Sequence, residues 1–289
     1  MKTCRSEFIS LRLRRHHLRI WGDDTAPTLF FLHGWGDTSA SFQFVVDALA
    51  GDWRVIAPDW RGFGQTQWND GPYWFADYIA DLDALLEHYS PEHPAQIAGH
   101  SMGGIVAGLY AGIRPERVAR LANLEGFMLW ESAPGETPDR FETWLRQIRD
   151  DSSSFRHYRR REDFAARMRG DNPRLTPERA TFLAENSLLE TSAGFTFAAD
   201  PRHRWINPVL YPMAEATACW RRITAQTLLL AGQESPLMKP FIDHPEIYRE
   251  RMACFSGSCD AWIADCAHNV QHDQPEALAR LLEPFFSRH

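Results

Sequence analysis

The sequence lacks the features that would direct a protein to a membrane or to nucleic acid. Its opening, "MKTCRSEFISLRLRRHHLRIWG", has no apolar core of the kind found in signal peptides, and no run approaches the roughly 18 apolar residues of a spanning helix. It also lacks an excess of positive charge. The formal net charge is -7, whereas a surface that binds phosphate backbones is basic. We therefore expect a cytoplasmic protein without a membrane or nucleic-acid partner.

Cysteine is scarce, and its spacing excludes the common metal and disulfide frameworks. The 5 cysteines are an odd number, and none forms the C-x-x-C pairs of a zinc site. No other group of histidine, cysteine and aspartate has the spacing of metal ligands. We expect reduced, packed thiols and a protein with no metal and no organic cofactor.

What the sequence does contain is a regular alternation of apolar runs and amphipathic stretches. The segment "FISLRLRRHHLRIW" alternates apolar and polar residues on both sides of Arg14 to His17, which predicts a half-exposed strand hairpin. Beyond it, apolar strands such as "PTLFFLHG" and "AQIAGH" alternate with helices such as "FADYIADLDALLEHY". This order predicts an α/β fold, a mostly parallel twisted sheet with helices on both faces.

The alternation stops near Gly126 and resumes near Gln226. The segment between them is rich in arginine, phenylalanine and tryptophan and is punctuated by prolines, which predicts several inserted helices. We predict a core of residues 1–126 and 218–289 with an inserted helical cap over residues 127–217. The basic stretch "RHYRRRED" lies in this cap, where a solvated helix face is its simplest interpretation.

The stretch "AGHSMGG" lies between a predicted strand and a predicted helix. Gly99, Ser101 and Gly103 match the G-x-S-x-G nucleophile elbow, in which small neighbours allow a turn so sharp that the serine hydroxyl is exposed above the sheet. The alternative is a plain helix start that Ser101 caps. The strand-turn-helix context favours Ser101 as a nucleophile.

A serine hydroxyl needs a neighbouring base before it attacks a carbonyl. The stretch "DCAHNVQHDQPE" after the last predicted strand supplies two candidates. We predict His268 as the base because it directly follows the strand. The alternatives are His272 as the base and a purely structural role for both histidines. His100 and His33 are expected to be packed, hydrogen-bonded histidines.

Attack on a carbonyl places negative charge on its oxygen, and two backbone N–H groups should point at that oxygen. One is predicted to come from Met102, the residue after the nucleophile. The second is predicted to come from Trp35 in "HGWGDTS", where the flanking glycines permit the necessary bend. The indole of Trp35 is then available to line the pocket.

Four motifs in this order, "HGWGDTS", "DWRGFGQT", "GHSMGG" and "AHNVQHDQPE", resemble the α/β-hydrolase superfamily over nearly the whole chain outside the cap. The resemblance implies a structural role for the "DWRGFGQT" loop, so Asp59 and Arg61 are not assigned to catalysis. Capped members similar to haloalkane dehalogenases and epoxide hydrolases use an aspartate where this chain has Ser101. A serine favours acyl transfer through an acyl-enzyme over displacement at a saturated carbon.

The base also needs a carboxylate, and the expected position lacks one. In most of the superfamily the acid follows the strand that corresponds to "QTLLLAG", where this chain has Ser235. Dehalogenase-like members place an acid after the strand that follows the nucleophile helix, and here that residue is Glu125. We predict Glu125 as the acid. Glu234 and an incomplete triad are the alternatives.

The cap segment is strongly aromatic, which favours a small, largely apolar substrate. We predict that Trp35, Phe127, Met128 and Trp130 bind it, and that it is an ester, a thioester or a related acyl compound. Three alternatives remain open: hydrolysis of carbon–carbon bonds in ring-cleavage products, which calls for an arginine or polar cluster; aminopeptidase-type hydrolysis, which calls for acidic cap residues; and a non-catalytic ligand receptor.

Overall fold

An eight-stranded sheet organises the chain, which the computed structural model describes over residues 1–127, 133–209 and 212–287. The strands of these residues, in chain order, are β1 (Cys4–Leu11), β2 (Arg14–Trp21), β3 (Thr28–Leu32), β4 (Arg54–Pro58), β5 (Ala95–His100), β6 (Val118–Leu124), β7 (His157–Tyr158), β8 (Leu188–Thr191), β9 (Gly194–Phe197), β10 (Gln226–Gly232) and β11 (Cys259–Ile263). The α-helices are α1 (Gln43–Ala48), α2 (Phe75–Tyr89), α3 (Met102–Ile113), α4 (Thr137–Asp150), α5 (Arg161–Asp171), α6 (Pro177–Ser187), α7 (Met213–Trp220), α8 (Lys239–Asp243), α9 (Pro245–Met252), α10 (Val270–Asp273) and α11 (Pro275–Ser287).

The strand order of the sheet is β1-β2-β4-β3-β5-β6-β10-β11. The pairs β1/β2 and β2/β4 are antiparallel, and the remaining pairs are parallel. The predicted α/β fold with a mostly parallel sheet is thus confirmed. Because parallel strands end at the same edge, the loops after β3, β5, β6, β10 and β11 lie together there.

The buried strands are apolar throughout because both faces of the sheet are covered. In β3, Phe30 packs into the cluster that contains α2 and α3, whereas Phe31 packs into the cluster on the other face, which contains α1 and α11. Both phenylalanines are 1% exposed. A strand buried on both faces shows a continuous apolar run instead of an alternation, as "TLFFL" does.

The N-terminal hairpin forms, but its turn lies earlier than the sequence indicated. Arg12 and Leu13 connect β1 to β2 with φ angles of 47° and 65°. The segment from Arg14 to His17, which we expected at the centre of the hairpin, is instead the start of β2. A two-residue turn with both φ angles positive matches the twist of the paired strands, which explains the shorter connection.

The segment between β6 and β10 contains the four helices α4 to α7, together with strands that the sequence did not predict. β7, β9 and β8 form a three-stranded antiparallel sheet, so the segment is not purely helical. The predicted boundary at residue 217 falls inside α7, which lies against α3 where the backbone of Cys219 faces Gly112. The division of the chain into core and cap remains a prediction.

The loop after β4 has a structural role. Asp59 accepts hydrogen bonds from the amides of Ser39 (2.7 Å) and Gln65 (3.0 Å), and it pairs with His17 at 2.7 Å. Burial opposes ionisation of Asp59, but the hydrogen bond and the charge of His17 outweigh it and hold the pKa of this carboxyl well below its usual range. Arg61 forms two hydrogen bonds with Asp81, both of 2.6 Å.

Because several histidines are buried, we expect the free energy of unfolding to fall when the pH drops below about 6.5. Burial lowers the pKa of five of them, so the unfolded chain binds protons that the folded protein excludes. The five are His16, His33, His100, His203 and His272. Because the folded pKa values lie below the unfolded value, the stabilisation is complete above about pH 6.5 and is lost as the pH falls toward the folded pKa values.

Urea unfolding between about pH 7.5 and pH 5.5 measures this effect. Below about pH 6.5 the free energy of unfolding should fall by more than about 1.4 kcal/mol per pH unit, the limit for a single histidine. His244→Gln is the matched control, because the side chain of His244 is 62% exposed. A free energy of unfolding that does not change over this range would contradict the prediction.

Candidate active site

Ser101 occupies a strained turn between β5 and α3. Its φ angle is 51°, and its amide donates to the carbonyl of Leu124 at 2.8 Å. The neighbouring glycines are required by close backbone packing: a Cβ on Gly103 would meet the carbonyl oxygen of Leu32, and one on Gly99 would lie 2.5 Å from the carbonyl oxygen of Gly103. The turn therefore has the geometry expected of a nucleophile elbow.

Three of the predicted site residues lie in contact. The Nε2 atom of His268 is 3.0 Å from the Oγ atom of Ser101, and its Nδ1 atom is 2.6 Å from the Oε2 atom of Glu125. The histidine lies in the loop after β11, with 26% of its side chain exposed, whereas the side chain of Glu125 is fully buried. A serine, a histidine and a carboxylate joined in this order can transfer a proton from the serine to the imidazole.

Glu125 follows β6 directly and is held by the turn after β10. Its carboxylate accepts hydrogen bonds from the amide of Gly232 at 2.7 Å and from the hydroxyl of Ser235 at 2.6 Å. Its own amide donates to the carbonyl of Leu230 at 2.9 Å, and its φ angle is 55°. Together with His268, these donors stabilise a buried carboxylate that would otherwise be costly.

The alternative acid, Glu234, lies elsewhere. Its side chain is 51% exposed and forms an ion pair with Arg174. Ser235, in contrast, is only 3% exposed and points its hydroxyl at the carboxylate of Glu125. The turn after β10 thus supplies a hydrogen-bond donor to Glu125, the residue that follows the neighbouring strand β6.

The other histidines near the site have structural partners. The Nε2 atom of His272, the alternative base, is 2.7 Å from the hydroxyl of Ser41, and burial lowers its pKa. His100 donates from Nε2 to the carbonyl of His268 at 2.8 Å and so holds the histidine loop. His33 accepts at Nε2 from the amide of Trp60 at 2.9 Å. These contacts agree with the packed roles expected for His100 and His33.

The residues predicted to supply the two N–H groups flank Ser101. Gly34 lies so close to Ser101 that an added Cβ would be 3.1 Å from the Cβ of the serine, which places the chain leading to Trp35 beside the nucleophile. Met102 is the first residue of α3, and N–H groups in a first helical turn have no acceptor within the helix. Trp35 and Met102 both line the same cavity.

This cavity, here called the Trp144 cavity, extends from Met102 to residues of the segment between β6 and β10 and has a volume of about 130 Å³. Its lining is mostly aromatic, and it consists of Trp35, Pro72, Tyr73, Phe75, Tyr78, Met102, Trp144, Arg202, His203, Trp205, Ile206, Asn207 and Pro208. Burial lowers the pKa of His203 to about 3, so its ring is neutral at physiological pH and packs 3.7 Å from the ring centroid of Tyr73.

The predicted substrate-binding residues have different locations. Trp35 is 53% exposed and borders the Trp144 cavity, as expected of a wall residue. Phe127 is 1% exposed and packs in the hydrophobic core, while its carbonyl accepts a hydrogen bond from Arg251 at 2.9 Å. The structure therefore assigns Phe127 to the core, because it continues the buried end of β6. Met128 and Trp130 lie outside the described residues.

A second cavity adjoins Trp35 on the cap side and has a volume of about 260 Å³; it is called here the Phe155 cavity. It is lined by Trp35, Gly36, Phe155, Arg156, Tyr158, Phe164, Arg167, Met168, Asp171 and Phe197. The basic stretch "RHYRRRED" at 156–163 was expected to be a solvated helix face. Its first residue, Arg156, instead lies on the wall of this cavity, together with Arg167 from α5.

Metal ligation and membrane insertion find no support in the described residues. Over residues 1–127, 133–209 and 212–287, no three histidine, cysteine, aspartate or glutamate side chains are grouped so that they could hold a metal ion. In the same part of the chain, none of the helices has the length and apolar character needed to cross a bilayer. All 5 cysteines are unpaired.

Comparisons with known proteins identify the family of the fold. A family model of the alpha/beta hydrolase fold matches residues 27–275. A protein from Danio rerio named "Serine hydrolase-like protein" is 28% identical over 286 residues, which cover 92% of this chain and 83% of that protein. Among solved structures, a hypothetical protein from Pseudomonas aeruginosa PAO1 has a TM-score of 0.85 at 26% identity, over 98% of this chain and 99% of that chain. The thioesterase domain from the curacin biosynthetic pathway has a TM-score of 0.84 at 22% identity, over 97% and 99% of the two chains.

Proposed function

The chain belongs to the alpha/beta hydrolase fold family, and on that premise we propose that it is a serine hydrolase that cleaves an ester or thioester of a small, largely apolar acid. The observation that carries the proposal is the continuous contact from Ser101 through His268 to the buried Glu125. A mechanism through an acyl-enzyme follows from these residues.

In the first half of the reaction, the Oγ atom of Ser101 attacks the substrate carbonyl while the Nε2 atom of His268 takes the hydroxyl proton. The amides of Trp35 and Met102 hold the developing oxyanion. When the tetrahedral intermediate collapses, His268 returns the proton to the departing alcohol or thiol, and the acyl group remains on Ser101. Glu125 stabilises the imidazolium and keeps its Nδ1 proton in place.

In the second half, water takes the place of the leaving group. His268 removes a proton from the water, the resulting hydroxide attacks the acyl-enzyme, and the free acid departs as Ser101 recovers its proton. No step needs a metal or an organic cofactor, so we propose that the enzyme uses neither. The unpaired cysteines support the further proposal of a reducing, cytoplasmic location.

The shape of the Trp144 cavity supports an apolar acyl group. The cavity begins at Met102, beside the nucleophile, and its walls are mainly aromatic, so an acyl chain placed there removes apolar surface from water. Relatives of similar fold include a thioesterase domain and an esterase from Mycobacterium tuberculosis. Both activities use the acyl transfer proposed here.

The alternative functions have less support from the Trp144 cavity. A carbon–carbon bond hydrolase calls for a cation that binds a substrate carboxylate, but Arg202 is already paired with Asp151 at 3.0 Å and with Asp200 at 3.8 Å. An aminopeptidase calls for acidic side chains, and the described lining of this cavity includes no aspartate or glutamate. A receptor would bind substrate without turnover.

A panel of p-nitrophenyl esters of increasing acyl length, run beside matching acyl thioesters, tests the proposal. We expect a burst of p-nitrophenolate equal to the enzyme concentration, followed by steady turnover, because an acyl-enzyme forms and is then hydrolysed. Treatment with a chelator should leave the rate unchanged. Binding of the esters without turnover would identify a receptor and contradict the proposal.

A further inference from the structure

We propose that the Phe155 cavity binds a phosphate group on the leaving-group side of the substrate, through Arg156 and Arg167. This inference rests on the proposed function and deepens it, because it names the class of substrate: an acyl thioester whose thiol carries a phosphate. Arg156, the first residue of the basic stretch "RHYRRRED", thereby becomes part of the proposed substrate site.

The two guanidinium groups are held around one side chain. The guanidinium of Arg156 lies over the ring of Tyr158, 5.4 Å from its centroid, and the Nη1 atom of Arg167 donates to the Tyr158 hydroxyl at 2.6 Å. Tyr158 is itself 7% exposed. A buried tyrosine thus places two cations on the wall of one cavity.

The local charge favours an anion although the whole chain is acidic. Residues 156–171 contain 6 arginines against 3 carboxylates, whereas the formal net charge of the chain is -7. Among the described residues, Arg156 has no carboxylate within 4.0 Å. Arg167 pairs with Asp171 at 3.3 Å, but the side chain of Asp171 is 71% exposed, and an exposed pair of this kind contributes little. A bound anion would therefore meet the charge of Arg156 directly and would compete for Arg167 with Asp171, which lines the same cavity.

The anion is a phosphate and not a single carboxylate because two guanidinium groups face the cavity. One arginine suffices to bind a carboxylate through two parallel hydrogen bonds, whereas a phosphate monoester carries more charge and three acceptor oxygens. Arginine is also the side chain best suited to such planar, paired contacts.

Trp35 lies between the two cavities, so the acyl group and the leaving group of the substrate are assigned to different cavities. Trp35 lines both of them and belongs to the loop that lies beside Ser101. The Trp144 cavity begins at Met102, which is 8% exposed, and its lining includes the buried Tyr78, which is 4% exposed, so it suits the acyl chain. The Phe155 cavity opens at exposed arginines, so it suits the group that departs into solvent.

Two thioesters that differ only in one phosphate test the inference. The substrates are an acyl group on pantetheine and the same acyl group on 4′-phosphopantetheine. We expect wild-type kcat/KM to be at least tenfold higher for the phosphorylated substrate, the effect of about one hydrogen bond to a charged group. In the double variant Arg156→Gln, Arg167→Gln this preference should disappear, through an increase in KM.

Arg169→Gln is the matched control, because Arg169 also lies on α5 and is exposed but does not line the cavity. This variant should keep the full preference for the phosphorylated thioester. Equal kcat/KM values for the two substrates in the wild type would overturn the inference, and so would a preference that survives in the double variant.

The 4′-phosphate also occurs within the diphosphate of coenzyme A and as a phosphodiester on a carrier protein. The kcat/KM values of acyl-coenzyme A and of an acylated carrier protein, compared with that of the acyl 4′-phosphopantetheine monoester, identify the source. Calorimetric titration of Ser101→Ala with 4′-phosphopantetheine separates the two proposals, because binding needs no catalysis. Turnover of neutral esters without phosphate preference overturns only the anion site. Arginine-dependent binding without any turnover supports the anion site and overturns the proposed hydrolase.

Discussion

Ser101→Ala is expected to lower kcat for ester hydrolysis by about six orders of magnitude and to abolish labelling by a fluorophosphonate probe. Loss of the serine in a well-studied protease costs about that much, because the attacking atom is gone while substrate binding persists. In this chain the only change is one hydroxyl 3.0 Å from His268, so the elbow backbone and the histidine loop should stay in place. Intact-protein mass spectrometry and steady-state rates measure the two effects.

Ser6→Ala is a demanding control for this experiment. The Oγ atom of Ser6 lies 2.5 Å from the Nε2 atom of His17, and the Nδ1 atom of His17 lies 2.7 Å from Asp59, so the contacts mimic those of Ser101. However, Ser6 belongs to a regular strand, and none of the described cavities opens at it. Labelling and turnover should survive in Ser6→Ala. An adduct that forms on folded Ser101→Ala protein would exclude Ser101 as the nucleophile.

Glu125→Gln is expected to lower kcat by about four orders of magnitude while the protein stays folded. Neutralising the corresponding acid in a serine protease has that effect, because the histidine then adopts the wrong tautomer and its protonated form loses its partner. The amide keeps the volume of the carboxylate and still accepts a hydrogen bond from Gly232 or Ser235. Circular dichroism and the rate of ester turnover measure folding and activity in the same sample.

Glu234→Gln is the matched control. Glu234 lies in the turn after the neighbouring strand β10, but its side chain is half exposed and is paired with Arg174. We expect it to cost roughly tenfold or less in turnover. Ser235→Asp in the Glu125→Gln background should restore part of the activity, because the Ser235 hydroxyl already lies 2.6 Å from the oxygen that contacts His268. Full activity in Glu125→Gln, with loss in Glu234→Gln, would assign the acid to the turn after β10.

Many strands and helices of the main sheet could be predicted from the sequence because they are long and have a clear pattern of apolar residues. The strand "AQIAGH" and the helix "FADYIADLDALLEHY" have the predicted bounds in the structure. The strands β7, β8 and β9 were missed because two to four residues cannot display a period. The segment between β6 and β10 is held in place by contacts between residues that are far apart in the sequence, such as the bridge between Phe63 and Ala199.

Some residues of the candidate site could be predicted from the sequence, and others could not. Ser101 and His268 are marked by local motifs, so the sequence alone predicted them. Glu125 was favoured over Glu234 through the resemblance to dehalogenase-like members, since no local motif distinguishes the two. Their different partners, His268 for Glu125 and Arg174 for Glu234, depend on the pairing of β6 with β10 and are visible only in the structure. The cavity walls could not be predicted, since they combine residues 72–78 with residues 202–208.

The residues just after β6 hold the chain on both sides of Glu125. The side chain of Asn123 accepts from the amide of Gly126 at 2.7 Å and donates to the carbonyl of Gly104 at 3.0 Å. Sequence changes beyond Gly126 can therefore reshape the cavities while these contacts keep Glu125 in place. We expect that a segment grafted from a relative between Gly126 and β10 would change the substrate preference and preserve the contacts among Ser101, His268 and Glu125.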